Sequence, residues 1–512
     1  MKKPYSIHKF MFPFRFDYIP SQAEAKDKYI FYRDNPFSQR VDLKRLYHRL
    51  CANGWRYNPF TIKQATDYNQ YVYFYDFVKD ALYNTSEEFE EGATSYYFEH
   101  GHLKDTNYTI ELKDGPIYEL LLKRISLKVF DTGVGILTFH LENHDYPYLQ
   151  DVLRINDYGR RIYPQFLEDG FSLEEPCKAF LPCAIELDGV REDFSSWNED
   201  SLIGKPSLKV AKHILEVLGE AFTIDLESKE RFLIQPVIDD RMFVVCWFGS
   251  DAVSEIVKRD IYSDVWYRYV FVDGNSKTVA DEAMQKDLID QTTYRRWMGI
   301  GTLYGVTRYS FVALSKRDWF GENVLLMHME TIYYQMALLL LAQRASLLRF
   351  ADEITAVSDI ERKKEQQKSR PTTEVIEDLY KNYLRFVNKL YFKEITPQEQ
   401  GIEMYALGQR NMNIDRDIHD LQREIATINS YAFFKEEKEE KEQMNKLTKL
   451  GTIFLPPTLV AGIFGMNVFP NGWIDNIGGL LFSLCAIGCF TWWIAKMQKI
   501  DILEFFTSKD RR

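Results

Sequence analysis

The stretch that decides the fold is MNKLTKLGTIFLPPTLVAGIFGMN, residues 444–467. No charged residue lies between Lys449 and Asp475, and the next one after Asp475 is Lys496. A helix that crosses a bilayer needs about 20 largely apolar residues. Both charge-free windows are long enough, so the sequence predicts two membrane spans, near residues 446–465 and 476–495.

Basic residues flank the two windows on one side only. Lys446 and Lys449 precede the first span, and five Lys or Arg residues follow the second, whereas the loop 468–475 has none. Basic residues favour the cytoplasmic side. We therefore expect a multi-pass protein of the cell (inner) membrane with both termini in the cytoplasm. The alternative is a buried helical hairpin of a soluble protein.

A long helical segment leads into the first span. Residues 396–399 (TPQE) have the N-cap, the proline and the glutamate that are typical of a helix start. A continuous helix from Pro397 to Gly465 would be about 100 Å long at 1.5 Å per residue. The charged run 435–442 is interpreted as a solvated face, with a charged ring at a pore mouth as the alternative. Apolar residues recur along the segment at coiled-coil spacing, at Ile414, Ile418, Leu421, Ile425, Ile428 and Ala432.

The region before residue 320 mixes strand and helix patterns. Leu127–Phe130 and 135–141 flank Asp-Thr-Gly and predict a hairpin; 231–248 and 265–272 are also interpreted as strands, and 207–219 as a helix. The predicted fold is an α+β cytoplasmic domain followed by a long helical stalk and two C-terminal transmembrane helices. The expected boundaries are 1–320 for a sensor region with a joint between two lobes near 198–206, 321–395 for a helical hairpin, 396–449 for the stalk, 450–467 for the first transmembrane helix, 468–475 for the external loop, 476–495 for the second and 496–512 for a basic tail.

Composition excludes several classes of protein. The chain has 512 residues, 46 % of them apolar, which is typical of a folded protein rather than a disordered one. Its net charge of −11 argues against direct nucleic-acid binding. Six cysteines do not make a disulfide framework. The N-terminus has no apolar segment of the kind that a cleaved signal peptide requires.

Residues 444–448 (MNKLT) and 457–467 (PTLVAGIFGMN) resemble the signature of the CorA family of divalent-cation channels. The resemblance is specific over about 440–496 and architectural over 320–440. It implies a CorA-like funnel, a homopentamer in a lipid bilayer, and Mg²⁺ (or Co²⁺ or Ni²⁺) as the transported ion. It also implies a selectivity filter at Gly465, Met466 and Asn467, where amide oxygens would contact a hydrated divalent ion.

One face of the first span would line the pore of such an assembly. The large apolar members would form dry constrictions, and a threonine would supply hydroxyls. Asp475 is the one acid of the outer loop, where family members commonly carry a Met-Pro-Glu type of loop. The stripe repeats every three or four residues at Met444, Leu447, Gly451, Leu455, Thr458 and Gly462.

Other motifs are weaker. Asp131-Thr132-Gly133 occurs once, whereas an aspartic protease needs two such carboxylates, so a hairpin turn is favoured. His100 with His102, and His140 with His144, lack further metal ligands nearby. Arg160, Arg161 and Tyr163 form a candidate ligand-binding group, with a solvated turn as the alternative interpretation.

Three functions remain open from the sequence. The first is a CorA-type channel for magnesium or a similar divalent cation, gated by its cytoplasmic domain. The second is the CRISPR-associated branch of the family, a type III antiviral membrane effector whose pore answers a small nucleotide messenger of the cyclic oligoadenylate or SAM-AMP class. The third is a membrane-anchored enzyme, although no catalytic constellation emerges, and we expect no enzyme.

Overall fold

Two structural units, Met1–Ala426 and Thr427–Arg512, make up the chain in the computed structural model. The structure describes residues 3–22, 31–32, 34–113, 115–164, 181–197, 210–362, 372–465 and 477–497. The predicted lobe joint at 198–206 lies outside the described residues, and so do the outer loop 468–475 and the tail after Met497.

The first unit is built on one mixed sheet, and the described strands on both sides of the predicted joint belong to it. Its main path runs β12-β13-β14-β11-β1-β6-β5-β4-β7-β8. The strands are β1 (Ser6–Tyr18), β2 (Trp55–Tyr57), β3 (Ser95–His100), β4 (Thr106–Glu111), β5 (Ile117–Phe130), β6 (Val134–Asn143), β7 (Ala184–Leu187), β8 (Val190–Asp193), β9 (Phe222–Thr223), β10 (Phe232–Pro236), β11 (Phe243–Gly249), β12 (Thr293–Tyr294), β13 (Leu303–Val306) and β14 (Ser310–Ser315).

Helices cover the sheet and then continue beyond it. The α-helices are α1 (Phe37–Arg40), α2 (Leu43–Ala52), α3 (Ala65–Val72), α4 (Asp76–Leu82), α5 (Leu149–Gly159), α6 (Lys212–Leu218), α7 (Asp251–Arg259), α8 (Asp264–Phe271), α9 (Glu282–Thr292), α10 (Leu326–Glu330), α11 (Ile332–Arg362), α12 (Thr372–Lys389), α13 (Glu399–Asn411), α14 (Ile414–Gly465) and α15 (Ile477–Met497). The architecture is therefore an N-terminal domain of sheet and helices followed by a long helix, as the sequence predicts.

Strand β1 is the centre of the sheet. All of its residues are buried, because β6 pairs with one edge while β11 and β10 pair in turn with the other. Side chains of a strand alternate between its two faces. Phe10, Phe12, Phe14 and Phe16 therefore share one face, and all four belong to the main hydrophobic core.

The predicted hairpin is confirmed. Strands β5 and β6 pair antiparallel, with Phe130 opposite Val134, and Asp131-Thr132-Gly133 forms the turn. Gly133 has a φ of 72°, in the left-handed region that glycine adopts without steric cost.

Two strand predictions need correction. Residues 231–248 form two strands rather than one, because β10 and β11 pair with different halves of β1. The second prediction, a strand at 265–272, is wrong, since α8 occupies this stretch. Its buried aromatic residues Trp266 and Tyr269 and the buried Val270 are spaced at three and four positions, which also suits a helix face.

The expected continuous helix from Pro397 is interrupted. Helix α13 ends at Asn411, and α14 begins at Ile414 after Asn413 adopts a φ of 57°. Asparagine tolerates this left-handed conformation better than most residues. The long helix α14 alone has 52 residues, about 78 Å at 1.5 Å per residue.

We expect Gly133→Ala to destabilise the first unit by about 2–4 kcal/mol, since it adds both left-handed strain and overpacking. A Cβ at Gly133 would lie 2.4 Å from Nη1 of the buried Arg349. Gly189 is the matched control, because it has a φ of 78° and nothing within 4 Å of an added Cβ. Gly189→Ala should cost only about 1 kcal/mol. Denaturant unfolding of both variants measures the difference, and equal losses would contradict the packing argument.

Candidate functional site

The second unit exposes large apolar side chains along two helices. On α14, Phe454 and Leu459 are 59 % and 54 % exposed, and on α15, Phe482 and Trp492 are 66 % and 57 % exposed. Isolated exposed apolar residues are common, but a contiguous apolar surface marks an interaction site. The exposed apolar residues therefore mark these two helices as a candidate interaction surface.

The predicted pore stripe lies on the same part of α14. Met444, Leu447 and Leu455 are 67 %, 67 % and 66 % exposed. A Cβ added at Gly451 or Gly462 would meet nothing within 4 Å. The described stripe thus leaves open space on its side of the helix, where another helix can approach closely at the glycines.

Thr458, the fifth member of the stripe, makes a hydrogen bond within its own helix. Its hydroxyl donates to the carbonyl of Phe454, with Oγ1 and O 2.7 Å apart. The neighbouring Pro456 and Pro457 have no N–H to donate to the preceding turn. Because the Thr458 proton is used in this hydrogen bond, the hydroxyl oxygen retains lone pairs that can accept a further contact.

Of the three predicted filter residues, the structure describes only Gly465. Gly465 is the last residue of α14. Met466, Asn467 and Asp475 lie outside the described residues.

The charged run before the span is exposed. Residues 436–450 are all exposed, and Lys441 Nζ pairs with Glu437 Oε1 at 2.5 Å. Five glutamates occur between 436 and 442 against two lysines. This helical surface is therefore net negative and directly precedes the stripe.

A helical stretch of the first unit has the length and apolar composition of a membrane span. Among the described residues, Gly321–Ala356 is long and apolar enough, but 67 % of its most apolar window is buried in the protein. Its residues Leu338, Leu339 and Leu340 are almost fully buried. This stretch, which includes α10 and most of α11, therefore belongs to the core of the first unit.

The two arginines of the candidate ligand group at the end of α5 are buried and make internal hydrogen bonds, while Nε and Nη1 of Arg160 have no hydrogen-bond partner among the described residues. Arg160 Nη2 donates to the Val272 carbonyl at 3.2 Å, and Arg161 Nη2 to Asp157 Oδ1 at 2.8 Å. Burial lowers the pKa of Arg160 to about 10, and Asp157 opposes that shift. Tyr163 is half-buried nearby. A solvated turn does not describe these two arginines, which join α5 to the chain near Asp240.

The remaining motifs have structural roles. Asp131 pairs with Arg385 Nε at 2.8 Å, and burial raises the pKa of this carboxyl to about 6. His144 Nε2 lies 2.8 Å from Glu142 Oε2, and His140 Nε2 lies 2.9 Å from Ser126 Oγ. In the part of the chain that the structure describes, no three His, Cys, Asp or Glu side chains are grouped to hold a metal.

A buried ion-pair network was missed by the sequence analysis. Arg349 of α11 binds Asp17 of β1 at 2.7 Å and Glu353 at 3.1 Å, and Arg40 of α1 binds both carboxylates. In the sequence, the one local indication of this network is that Arg349 and Glu353 are four residues apart, the spacing of an ion pair on one helix face. The network therefore fixes α11 on strand β1 of the sheet.

The C-terminal part of the chain is similar to a known protein family. Residues 326–496 match the family model described as "CorA-like Mg2+ transporter protein". A solved structure, the CorA magnesium transporter from Methanocaldococcus jannaschii, is similar at 14 % identity and a TM-score of 0.20, over 52 % of this chain and 94 % of that one. No curated protein matches the chain. The family match therefore covers the C-terminal third of the chain, and this part holds α14 and nearly all of α15.

Proposed function

We propose that this protein is a CorA-type membrane channel for Mg²⁺ or a similar divalent cation such as Co²⁺ or Ni²⁺. The observation that carries the proposal is the apolar surface of α14 and α15. Each buried Å² of such surface contributes about 25 cal/mol, so its exposure to water is unfavourable. A bilayer covers it, with the two helices as spans and both termini in the cytoplasm.

The pore requires several copies of the chain. One stripe cannot enclose a channel, whereas a ring of identical stripes can, and the family resemblance gives five copies. Met444, Leu447 and Leu455 then form narrow apolar constrictions that gate by dewetting. Gly451 and Gly462 let the helices approach, and Thr458 contributes a ring of oxygens.

The ion path begins and ends with oxygen ligands. A ring of Asn467 amide oxygens at the outer mouth suits Mg²⁺, which releases its water reluctantly and is held through neutral contacts to its hydration shell. Asp475 supplies the one negative charge of the outer loop. On the cytoplasmic side, the glutamates between 436 and 442 hold cations near the lower mouth.

A second candidate is a ligand-gated antiviral effector of the same pore type. It is favoured by the large first unit, since some 320 residues precede the family match at 326–496. Magnesium and adenosine-based messengers can be titrated separately while ion flux from liposomes is followed. Opening by a nucleotide alone would exclude the magnesium-gated channel, and closure by magnesium with indifference to nucleotides would exclude the effector.

Proteoliposomes loaded with a magnesium indicator test the proposed channel directly. Leu455→Ser should raise basal Mg²⁺ flux about fivefold or more, because a hydroxyl wets a constriction that an isobutyl group keeps dry. Leu450→Ser is the control, since Leu450 is also exposed but lies off the stripe. Absence of flux in every variant would contradict the channel, and equal effects of the two serines would contradict the stripe.

A further inference from the structure

An open cleft of about 470 Å³ lies in the first unit, beside α13. Its volume falls in the range of about 300–1,000 Å³ that small-molecule sites occupy. One wall consists of Asp290 at the end of α9 and the segment from β12 through Arg296. The other wall is the face of α13 that carries Glu403, Leu407 and Arg410.

Three guanidinium groups line the cleft, and one of them is uncommitted. Arg295 pairs with Asp290. Arg296 binds both oxygens of Glu403, at 2.8 and 2.9 Å. The side chain of Arg410 is exposed and has no hydrogen-bond or ion-pair partner among the described residues. The lining therefore has three positive and two negative groups, and Arg410 keeps a complete donor fork.

The walls of the cleft are held in place. At the end of α13, Asn411 Nδ2 donates to the carbonyls of Gln291 and Val306, at 3.0 and 2.8 Å. Leu407 is buried below the surface. Tyr294 donates its hydroxyl to Glu403, which reduces the negative charge that this carboxylate presents to a ligand. A preorganised site loses little free energy in ordering its own groups.

We propose that this cleft binds a small organic anion with at least two acidic groups, phosphate or carboxylate, through Arg410 together with Arg295. The planar donor forks of arginine match both kinds of oxyanion. The binding site belongs to the first unit, so it does not depend on the channel proposed above. Because α13 is followed by α14 after only two residues, an occupied cleft would hold the helix that precedes the long helix.

Isothermal titration of the purified full chain with pyrophosphate and, separately, with citrate tests the site. Arg410→Gln should weaken binding about tenfold, because a charge-assisted bidentate contact is lost. Arg416→Gln is the matched control: Arg416 is 79 % exposed, lies outside the cleft, and its loss changes the net charge equally. Both substitutions are at exposed positions, and melting curves verify that both variants fold.

The two probes identify which class of anion the cleft binds. Tighter binding of pyrophosphate assigns the site to phosphate esters, and tighter binding of citrate assigns it to carboxylates. Failure of both probes to bind saturably overturns the proposal, and so does an equal response of the Arg410 and Arg416 variants. Neither outcome bears on Mg²⁺ flux, so the failure of this site is distinguishable from failure of the channel.

Discussion

Arg349→Met should destabilise the first unit by about 3–5 kcal/mol, the usual loss when one partner of a buried ion pair is removed. The Arg349 side chain is fully buried and donates to Asp17, Glu353 and the carbonyls of Phe16 and Gly133. Methionine fills much of the volume but leaves two buried carboxylates with Arg40 as their shared partner. Denaturant unfolding of the purified chain, followed by tryptophan fluorescence, measures the loss.

Two further variants make this result interpretable. Arg423→Met removes an arginine that is 79 % exposed and pairs with Asp420, so we expect a change below about 1 kcal/mol. Arg349→Lys retains the charge but loses the planar fork, and its loss should be intermediate. If Arg349→Met were as stable as Arg423→Met, the network would not hold α11 on the sheet.

The same network sets a pH dependence. Burial alone would raise the pKa of Glu353, but Arg40 and Arg349 together hold it below its ordinary value of 4.5. A carboxyl whose pKa is lower in the folded state contributes stability above the unfolded pKa, and that contribution is lost as the pH falls. In the Arg349→Met variant, the free energy of unfolding that is lost on acidification should therefore be smaller than in the unmodified protein.

Local patterns explain which parts of the fold could be predicted. The β5–β6 hairpin was predictable because a glycine turn separates two apolar runs. Helix α8 was not, because its aromatic and β-branched residues suit both strand and helix. The helix break before Ile414 was not predictable either, because no proline or glycine marks it. Asn413 alone adopts the left-handed conformation there.

Long-range contacts explain what the sequence could not indicate. The buried network joins residues 17, 40, 349 and 353, and no short motif connects them. The cleft at Arg410 depends on α13 packing beside β12, more than 100 residues earlier in the chain. The placement of the stripe residues on one helix was predictable because they follow one helical period; their role in a pore stays a prediction.

Asn467→Ala should reduce Mg²⁺ flux by about tenfold or more and change the ion selectivity. In a ring of five copies, the substitution removes five neutral oxygens at once, and each hydrogen bond to the hydrated ion contributes about 1 kcal/mol. Asn471→Ala is the matched control, because it removes the same amide from the adjoining loop 468–475, four residues farther along the chain. Flux of Mg²⁺, Co²⁺ and Ni²⁺ into proteoliposomes measures both rate and preference. The placement of Asn467 rests on the sequence, so this measurement is its direct test. Unchanged flux and selectivity would remove Asn467 from the filter, whereas equal losses in both variants would assign the effect to the loop as a whole.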